Sequence, residues 1–280
     1  MSYNDEKNVV VNKKINDQDA KGIEGRFIES YQYDKINEGS LDAFIESCEG
    51  YKLLFSIRKN IIPDEITDIA YNSYVKKASK CKTNSRGIAS GIVDLNKISP
   101  NVEEILDKGK FKSRVRFKNG NITKYKIGNN VRSMIVGYYD RPSAKNVQNF
   151  NIGRPTAFIK NCPNQWTRSI EYINYVDDLY KNIYPEQYKK QYEQVKKSKF
   201  RIEDTIFSTI TLNYNFRTAI HKDRGDLENG YSALTICSRG QWNGYYLGYP
   251  QYGICTKVNQ GDFVIMNPHE FHGNTELVSH

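Results

Sequence analysis

Residues 217–226 of the chain read Arg-Thr-Ala-Ile-His-Lys-Asp-Arg-Gly-Asp and contain a His-x-Asp pair, His221 and Asp223. The run before it, 205–212, is rich in β-branched and aromatic residues without a breaker, which predicts a strand. If that extended conformation continues through 217–223, His221 and Asp223 point to the same face, because strand side chains alternate with a period of two. An imidazole and a carboxylate on one face form two thirds of the 2-His-1-carboxylate site typical of non-haem Fe(II) oxygenases.

The distribution of histidine favours a metal site over a chance surface pair. A lone His-x-Asp is more often a surface pair, but this chain has only 4 histidines and none in its first 220 positions. His269 and His272 follow the strand-like run 263–266, where a third ligand on a neighbouring strand is expected. Both separations from His221 suit such a fold, so the spacing leaves the choice between them open.

Composition and charge restrict the class of protein. The net charge of +9 is compatible with a polyanionic partner, although a general bias toward Lys, Asn, Ile and Tyr explains it equally well. The 5 cysteines are scattered without CxxC spacing, which predicts reduced thiols in an intracellular protein of the cytoplasm or nucleus. No apolar run is long enough to span a bilayer, and polar residues follow Met1, so we expect neither membrane association nor a signal peptide.

Helical patterns are concentrated before residue 200, and most strand patterns follow it. We expect a polar N-terminal tail at 1–22, an N-terminal α/β extension with a β-hairpin at 23–130, and a core with flanking helices at 131–280. Glycine-punctuated short strands after residue 200 favour an α+β fold, a jelly-roll or other sandwich-like barrel with helices packed on one face. Helices are predicted at 41–48, 63–80, 102–106, 165–183 and 185–197. Strands are predicted at 51–57, 131–138, 205–212, 217–223, 231–237, 245–249, 254–258 and 263–266.

The predicted hairpin has the clearest local pattern. Alternating runs at 113–117 and 122–126 flank Asn119-Gly120, which predicts a type I′ turn with positive φ at both central residues. Its exposed face would carry Arg and Lys. A basic ribbon could follow a nucleic-acid backbone, whereas a solvated face is the default interpretation.

The C-terminal part of the chain resembles a known enzyme family over roughly residues 84–277. The glycine-punctuated run looks like the double-stranded β-helix of Fe(II)/2-oxoglutarate dioxygenases and is most similar to the TET/JBP family. That family oxidises the methyl group of thymine or 5-methylcytosine in nucleic acid. The motifs that carry the resemblance are Gly137-Tyr-Tyr-Asp-Arg141, Arg154-Pro-Thr-Ala-Phe-Ile-Lys160, the 217–226 segment, Gly240-Gln-Trp-Asn-Gly-Tyr-Tyr-Leu247, Pro250-Gln-Tyr-Gly253, Gly261-Asp-Phe-Val-Ile265 and His269-Glu-Phe-His-Gly-Asn-Thr275.

The resemblance implies roles for individual residues. His221 and Asp223 would be iron ligands with His272 as the third, because it precedes Gly-Asn-Thr as the distal histidine of the family does; His269 is the alternative. Asp226 matches a position that contacts the target base, and its other interpretation is a turn carboxylate. The implied cofactor is Fe(II), the co-substrates are 2-oxoglutarate and O2, and the implied partner is DNA, or RNA. We expect a monomer.

One departure from the family concerns 2-oxoglutarate. An Arg or Lys about ten residues after the distal histidine usually holds its far carboxylate, but residues 273–280 contain neither. Either the sequence continues beyond His280 or another cation has this role. Arg217 is the preferred candidate, since strand parity gives it the face of His221 and Asp223, and Arg239 is a weaker one. Asn213 and Asn215 are candidates for hydrogen bonds to the co-substrate.

Three functions therefore compete. The first is hydroxylation of the methyl group of a pyrimidine base in nucleic acid, and the family-like run favours it. The second is 2-oxoglutarate-dependent hydroxylation of a protein side chain or a small molecule. The third is a non-catalytic nucleic-acid-binding relative, which the absent anchor keeps open.

Overall fold

The protein is described by a computed structural model that covers residues 7–141, 152–198 and 200–279. Its helices are α1 (Asp17–Gly22), α2 (Asp64–Ala78), α3 (Leu95–Ile98), α4 (Ala157–Asn161), α5 (Pro163–Ile183) and α6 (Pro185–Val195). Its strands are β1 (Lys7–Val10), β2 (Lys35–Asn37), β3 (Leu41–Ser47), β4 (Gly50–Arg58), β5 (Val102–Asp107), β6 (Arg114–Phe117), β7 (Ser133–Arg141), β8 (Ile152–Pro155), β9 (Thr209–Asn213), β10 (Ser232–Thr235), β11 (Asn243–Gly244), β12 (Leu247–Tyr249), β13 (Ile254–Thr256), β14 (Phe263–Met266), β15 (Gly273–Asn274) and β16 (Leu277–Ser279).

Two larger sheets form the centre of this mixed α+β fold. One has the strand order β1-β3-β4-β14-β10 and the other the order β15-β12-β13-β2. Neighbouring strands are antiparallel except for the β1–β3 and β2–β13 pairs. Smaller sheets are formed by β8-β7-β9, β5-β6 and β11-β16.

Strand β14 separates two hydrophobic cores, because its side chains alternate between the faces of its sheet. Phe263 and Ile265 belong to the core that includes α5, and Val264 and Met266 belong to the core between the two larger sheets. All four side chains are at most 4% exposed. The five-stranded sheet is therefore covered by helices on one face and by the second sheet on the other.

Several predicted elements are confirmed with small shifts of their ends. The strand predicted at 51–57 is β4, and the helices predicted at 63–80, 165–183 and 185–197 are α2, α5 and α6. Pro63 precedes the first turn of α2 as its N-cap residue, and Pro185 opens α6. Both prolines occur where a missing backbone N–H costs no helical hydrogen bond.

The helix predicted at 41–48 is wrong, since these residues form β3. The strand lies between β1 and β4 in the five-stranded sheet, so pairing on both edges outweighs local helix propensity. Ser40, the expected helix cap, instead accepts a hydrogen bond from Lys59 N at 3.1 Å.

The helix predicted at 102–106 is also wrong, because it is strand β5 and pairs with β6. The chain reversal at Asn119-Gly120 is present, with a hydrogen bond from Gly120 N to Phe117 O at 2.8 Å. The type I′ turn is wrong, since Gly120 has φ +82° and Asn119 has no positive φ. The Thr123 hydroxyl accepts from Val115 N at 3.0 Å, which replaces part of the regular ladder in the second arm.

Strands from both sides of residue 130 share the larger sheets, as β4 pairs with β14 and β2 with β13. The three-part division of the chain stays a prediction. None of the described helices combines the length and the apolar character that crossing a bilayer requires.

The buried ion pair between Asp42 on β3 and Arg58 on β4 allows a test of the stability of the five-stranded sheet. Arg58 Nη1 and Nη2 lie 2.6 and 3.1 Å from the two carboxylate oxygens of Asp42, and both residues are at most 9% exposed. We expect Asp42→Ala to lower the free energy of unfolding by about 3–5 kcal/mol, because the Arg58 charge would be left buried without its carboxylate. Urea denaturation measures the change. The exposed Arg116–Glu104 pair is the control, and Arg116→Ala should cost less than about 1 kcal/mol; equal destabilisation by the two variants would contradict the prediction.

Candidate metal centre

The segment that carries His221 and Asp223 is held in place by backbone hydrogen bonds to a distant loop. His221 N donates to His272 O and His272 N donates to His221 O, both at 2.9 Å. Asp223 N donates to Pro268 O at 2.9 Å. The regular strand predicted at 217–223 is therefore wrong, since an isolated antiparallel bridge between the two histidines keeps the segment extended.

Two other segments hold the residues just before His221 by backbone hydrogen bonds. Ala219 N donates to Ala89 O, and Ile220 N to Arg26 O, each at 2.9 Å. Gly273 is required at the crossing, because a Cβ there would lie 3.1 Å from both Thr218 O and the carbonyl carbon of Ala219. A residue without a side chain thus allows the two ligand-bearing segments to approach closely.

The side chains of His221, Asp223 and His272 converge. Nε2 of His221 lies 3.4 Å from Oδ1 of Asp223, and Nε2 of His272 lies 3.6 Å from Oδ2. One ligand atom from each residue lies within 4.8 Å of the others. Metal–ligand bonds of about 2.1 Å place neighbouring ligand atoms about 3 Å apart, so a small contraction would let all three bind one ion.

The backbone fixes the tautomers of the two histidines. Nδ1 of His221 is 2.8 Å from Ala219 O, and Nδ1 of His272 is 2.9 Å from Glu270 O. A carbonyl can only accept, so Nδ1 of each neutral ring carries the proton and Nε2 presents its lone pair to Asp223. Two imidazole lone pairs and a carboxylate that face each other repel unless a cation lies between them. This donor set fits a divalent metal such as Fe(II).

The charge of Asp223 supports the same interpretation. Burial raises the pKa of Asp223, but hydrogen bonding and Coulomb attraction from His221 and His272 in their protonated forms outweigh it when no metal is bound, and the net pKa lies well below the usual range. The carboxylate is therefore ionised. Its side chain is 43% exposed, compared with 11% and 7% for His221 and His272, so the centre is accessible from the Asp223 side. A cavity of about 470 Å³ opens there, between Glu24, Asp223 and Phe271.

His269 and Asp226 lie outside this cluster. Nε2 of His269 is 3.0 Å from Leu227 O, and the residue lines the cavity beside Asp223 without joining the three ligands. The Asp226 carboxylate accepts a hydrogen bond from the Ser232 hydroxyl in an exposed turn. A role for Asp226 in base binding stays a prediction.

The predicted co-substrate residues are not brought to the metal cluster. Arg217 donates to Asn274 O and Ile28 O at 3.1 and 3.0 Å, and it forms an ion pair with Glu29 at 3.1 Å. Asn213 accepts from the Ser133 hydroxyl at 2.6 Å. Asn215 and Arg217 line a second cavity, and Arg239 forms an ion pair with Asp68. Their roles in co-substrate binding stay predictions.

Two groups beside the metal cluster were missed from the sequence. Nε of Arg86 is buried, and no hydrogen-bond partner for it is found in the described part of the chain. Burial lowers the pKa of Arg86 and the Asp223 carboxylate opposes that shift, so the guanidinium lies within electrostatic range of the metal centre. Nothing in the sequence indicates that the loop 84–91 folds back onto residue 219.

The second missed group is the hydroxyl of Tyr249, which is fully buried and likewise lacks a partner among the described residues. Its ring lies 6.4 Å from that of His272 and stacks on Phe55 at 5.4 Å. Burial, with smaller contributions from Glu270 and Asp223, raises the pKa of Tyr249 well above its ordinary value. The hydroxyl therefore stays protonated and is a potential donor. Buried polar groups without partners are uncommon, which makes both groups candidates for contact with a ligand.

The three ligands can be tested by metal binding. We expect His221→Ala, Asp223→Ala and His272→Ala each to weaken Co(II) binding by more than about 100-fold, beyond the 10- to 100-fold typical of residues that only orient ligands. Titration followed by the visible absorption of Co(II) measures the affinity. His269→Ala is the matched control and should bind Co(II) as the wild-type protein does. Weakened binding confined to His269→Ala, with His272→Ala unaffected, would contradict this ligand set.

Comparisons with known proteins agree with this geometry. Residues 133–280 match the Tet_JBP family, described as the oxygenase domain of the 2OGFeDO superfamily. The thymine dioxygenase JBP1 of Leishmania infantum is 36% identical over 151 residues, which cover 54% of this chain and 18% of that protein. The thymine dioxygenase JBP1-A of Trypanosoma cruzi (strain CL Brener) is 37% identical over 145 residues, or 51% of this chain and 17% of that protein. The chain thus spans less than a fifth of the length of these relatives.

The fold has a counterpart among solved structures. The structure of NgTET1 in complex with 5mC DNA superimposes with a TM-score of 0.52 and 12% identity, covering 95% of this chain and 87% of that one. At this identity the likeness concerns the fold alone. Because the family match includes 148 of the 280 residues, more than half of the chain, the protein belongs to the Tet_JBP family of 2OGFeDO oxygenase domains.

Proposed function

We propose that this protein is an Fe(II)/2-oxoglutarate-dependent dioxygenase that hydroxylates the methyl group of a pyrimidine base, thymine or 5-methylcytosine, in DNA. The observation that carries the proposal is the convergence of His221 Nε2, Asp223 and His272 Nε2 in a member of the Tet_JBP family. The similarity to thymine dioxygenases supports the substrate class. In the overall reaction, the methyl group, 2-oxoglutarate and O2 yield a hydroxymethyl group, succinate and CO2.

The metal would be held by His221, Asp223 and His272 on one side, which leaves the other side for co-substrates. Iron supplies the oxidising chemistry when it is bound. The chain supplies the fixed tautomers of both histidines, an ionised carboxylate and a buried wall formed by Tyr249 and Phe55. In this proposal the two larger sheets form the double-stranded β-helix of the family. An intracellular location follows from DNA as the substrate and stays a prediction.

Arg86 and Tyr249 would bind 2-oxoglutarate. The co-substrate carries two carboxylates, and one of them requires a cation away from the metal. The Arg86 guanidinium has an unpartnered buried Nε near Asp223, whereas Arg217 is already bonded to two carbonyls and Glu29. The Tyr249 hydroxyl adds a neutral donor in the core between the sheets.

A target base would reach the centre from the cavity beside Asp223. A methyl group within a duplex is accessible to a buried metal only after the nucleotide is extruded from the stack. Asp226 lies three residues beyond the ligand Asp223, and its exposed carboxylate could accept a hydrogen bond from the base. The ionised ligand Asp223 is the most exposed of the three, which leaves this side open for a flat base.

The activity is tested with purified protein, Fe(II), 2-oxoglutarate, O2 and duplex DNA that contains thymine and 5-methylcytosine. We expect succinate and a hydroxymethylated nucleoside in equal amounts, both detected by mass spectrometry, and neither product with His221→Ala. Succinate without an altered base would favour hydroxylation of a protein side chain or small molecule. If the wild-type protein forms no more succinate than His221→Ala, the dioxygenase proposal fails.

Co-substrate binding gives a separate test. We expect Arg86→Gln and Tyr249→Phe each to raise the Kd of 2-oxoglutarate about 10- to 100-fold, because a hydrogen bond to a charged group contributes about 1.5–3 kcal/mol. Calorimetric titration of the Co(II)-loaded protein measures this Kd without turnover. Tyr252→Phe is the matched control, since this buried hydroxyl already donates to Glu270 at 2.9 Å. A wild-type Kd for Arg86→Gln would exclude Arg86 as the anchor.

A further inference from the structure

The second cavity of the protein has a strongly basic wall. It has a volume of about 440 Å³ and lies between the chain around residue 97, the start of β7 and the segment 215–217. We call it the basic cavity. Its cationic side chains are Lys82, Lys97, Arg132 and Arg217. Within the described part of the chain, no acidic residue lines it.

The charges of this wall are only partly compensated. Arg217 is paired with Glu29, and Nζ of Lys97 lies 3.9 Å from Asp94. For Lys82 and Arg132, no ion pair is found among the residues that the structure describes. Both are exposed, and the guanidinium of Arg132 lies over the ring of Tyr214 at 5.7 Å. Two cations are therefore free to bind an anion.

Neutral donors surround these cations. Asn96 and Asn215 line the same cavity and are exposed. Cations combined with amide groups are the donors that bind the phosphate oxygens of nucleic acids. Each carboxylate of an acidic peptide offers two oxygens, whereas successive backbone phosphates offer more oxygens to these donors. The donor set therefore favours a chain of phosphates over an acidic peptide.

The basic cavity is connected to the metal centre through one segment of the chain. Arg217, in the cavity wall, precedes His221 by four residues in the segment that delivers the ligands. Burial raises the pKa of the Cys81 thiol, while Arg132 and Arg86 act in the opposite direction, so both guanidinium groups are within electrostatic range of this thiol. Arg86 in turn is within range of Asp223. The segment 215–223 therefore joins the two sites, since it lines the cavity at Asn215 and Arg217 and carries the ligands His221 and Asp223.

We propose that the basic cavity binds backbone phosphates of the DNA strand whose base enters the metal centre. The inference rests on the proposed function and deepens it by assigning where the strand is held. An extruded nucleotide remains covalently attached to its flanking phosphates, and a cationic wall on the segment that also carries His221 and Asp223 would hold them during the reaction. Because phosphates are the same for every base, this wall contributes affinity and position but no sequence preference.

The salt dependence of DNA binding tests the site. Fluorescence anisotropy with the full chain and a labelled 20-base-pair duplex, without 2-oxoglutarate, measures Kd between 50 and 200 mM salt. We expect the Lys82→Ala/Arg132→Ala double variant to reduce the slope of log K against log salt by about 0.9 for each phosphate that is no longer neutralised. If the variant and the wild-type protein bind equally at 1 M salt, the variant binds about eightfold more weakly at 0.1 M salt for each phosphate that is no longer neutralised. Duplexes with and without 5-methylcytosine should be affected equally.

A matched variant controls for the general positive charge of the protein. Lys189→Ala/Lys190→Ala removes the same charge from exposed positions on α6 and should keep the wild-type slope. Thermal unfolding and Co(II) absorption confirm that each variant is folded with an intact metal centre. An unchanged slope for the cavity variant would overturn the proposal. A polyglutamate peptide is the competing anion, and a cavity variant that binds this peptide more weakly but binds DNA as the wild-type protein does would also overturn it.

The outcomes separate this inference from the proposed function. Hydroxylation of DNA by the wild-type protein, with a cavity variant that has the wild-type slope, would overturn the basic cavity alone. A reduced slope in a protein that forms no hydroxymethylated base would overturn the proposed reaction and support the cavity as a DNA site. A wild-type protein that does not bind the duplex would overturn both.

Discussion

The reciprocal hydrogen bonds between the backbones of His221 and His272 are the contact on which the rest of the site depends. They join segments 51 residues apart, so closing this contact costs chain entropy that the surrounding sheets must offset. Strand β14 contributes most directly, because it is buried on both faces and leads into the loop whose Pro268 carbonyl also binds Asp223 N. Gly273 allows the crossing at close range. Without this bridge, the three side chains would belong to separate loops.

The bridge brings together groups that repel each other in the absence of a cation. The Ala219 and Glu270 carbonyls hold both imidazole protons on Nδ1, so three electron-pair donors face one point. The surrounding fold therefore stabilises a geometry whose repulsion is relieved by a bound metal ion or by protons on the Nε2 atoms. It follows by linkage that a divalent metal stabilises the native state, since the ion binds this arrangement and not the unfolded chain. Metal binding and the ordering of the 217–223 segment are coupled through this one contact.

The sequence predicted the residues of the site better than their surroundings. Strand parity and the scarcity of histidine were sufficient to select His221 and Asp223, but they did not decide between His269 and His272, because the sequence does not show which of the two faces the other ligands. They differ only in what their neighbours offer, as His269 reaches Leu227 O and His272 reaches Glu270 O. The segment 41–48 was misassigned because its pairing partners, β1 and β4, outweigh local propensity. Arg86 could not be found at all, since its proximity to Asp223 depends on a loop contact between residues 89 and 219.

The cations of this chain differ in burial, and the difference separates two kinds of recognition. Arg86 is partly buried with an unpartnered Nε, so an anion that reaches it is desolvated and weakly screened by salt. Lys82 and Arg132 are exposed, where attraction is weaker for each charge and falls steeply with ionic strength. A small co-substrate held at Arg86 would thus stay bound under conditions that release a polyanion from the exposed wall. In the proposed function, the protein would then exchange its DNA without losing 2-oxoglutarate, because the two anions would be held by charges in different dielectric surroundings.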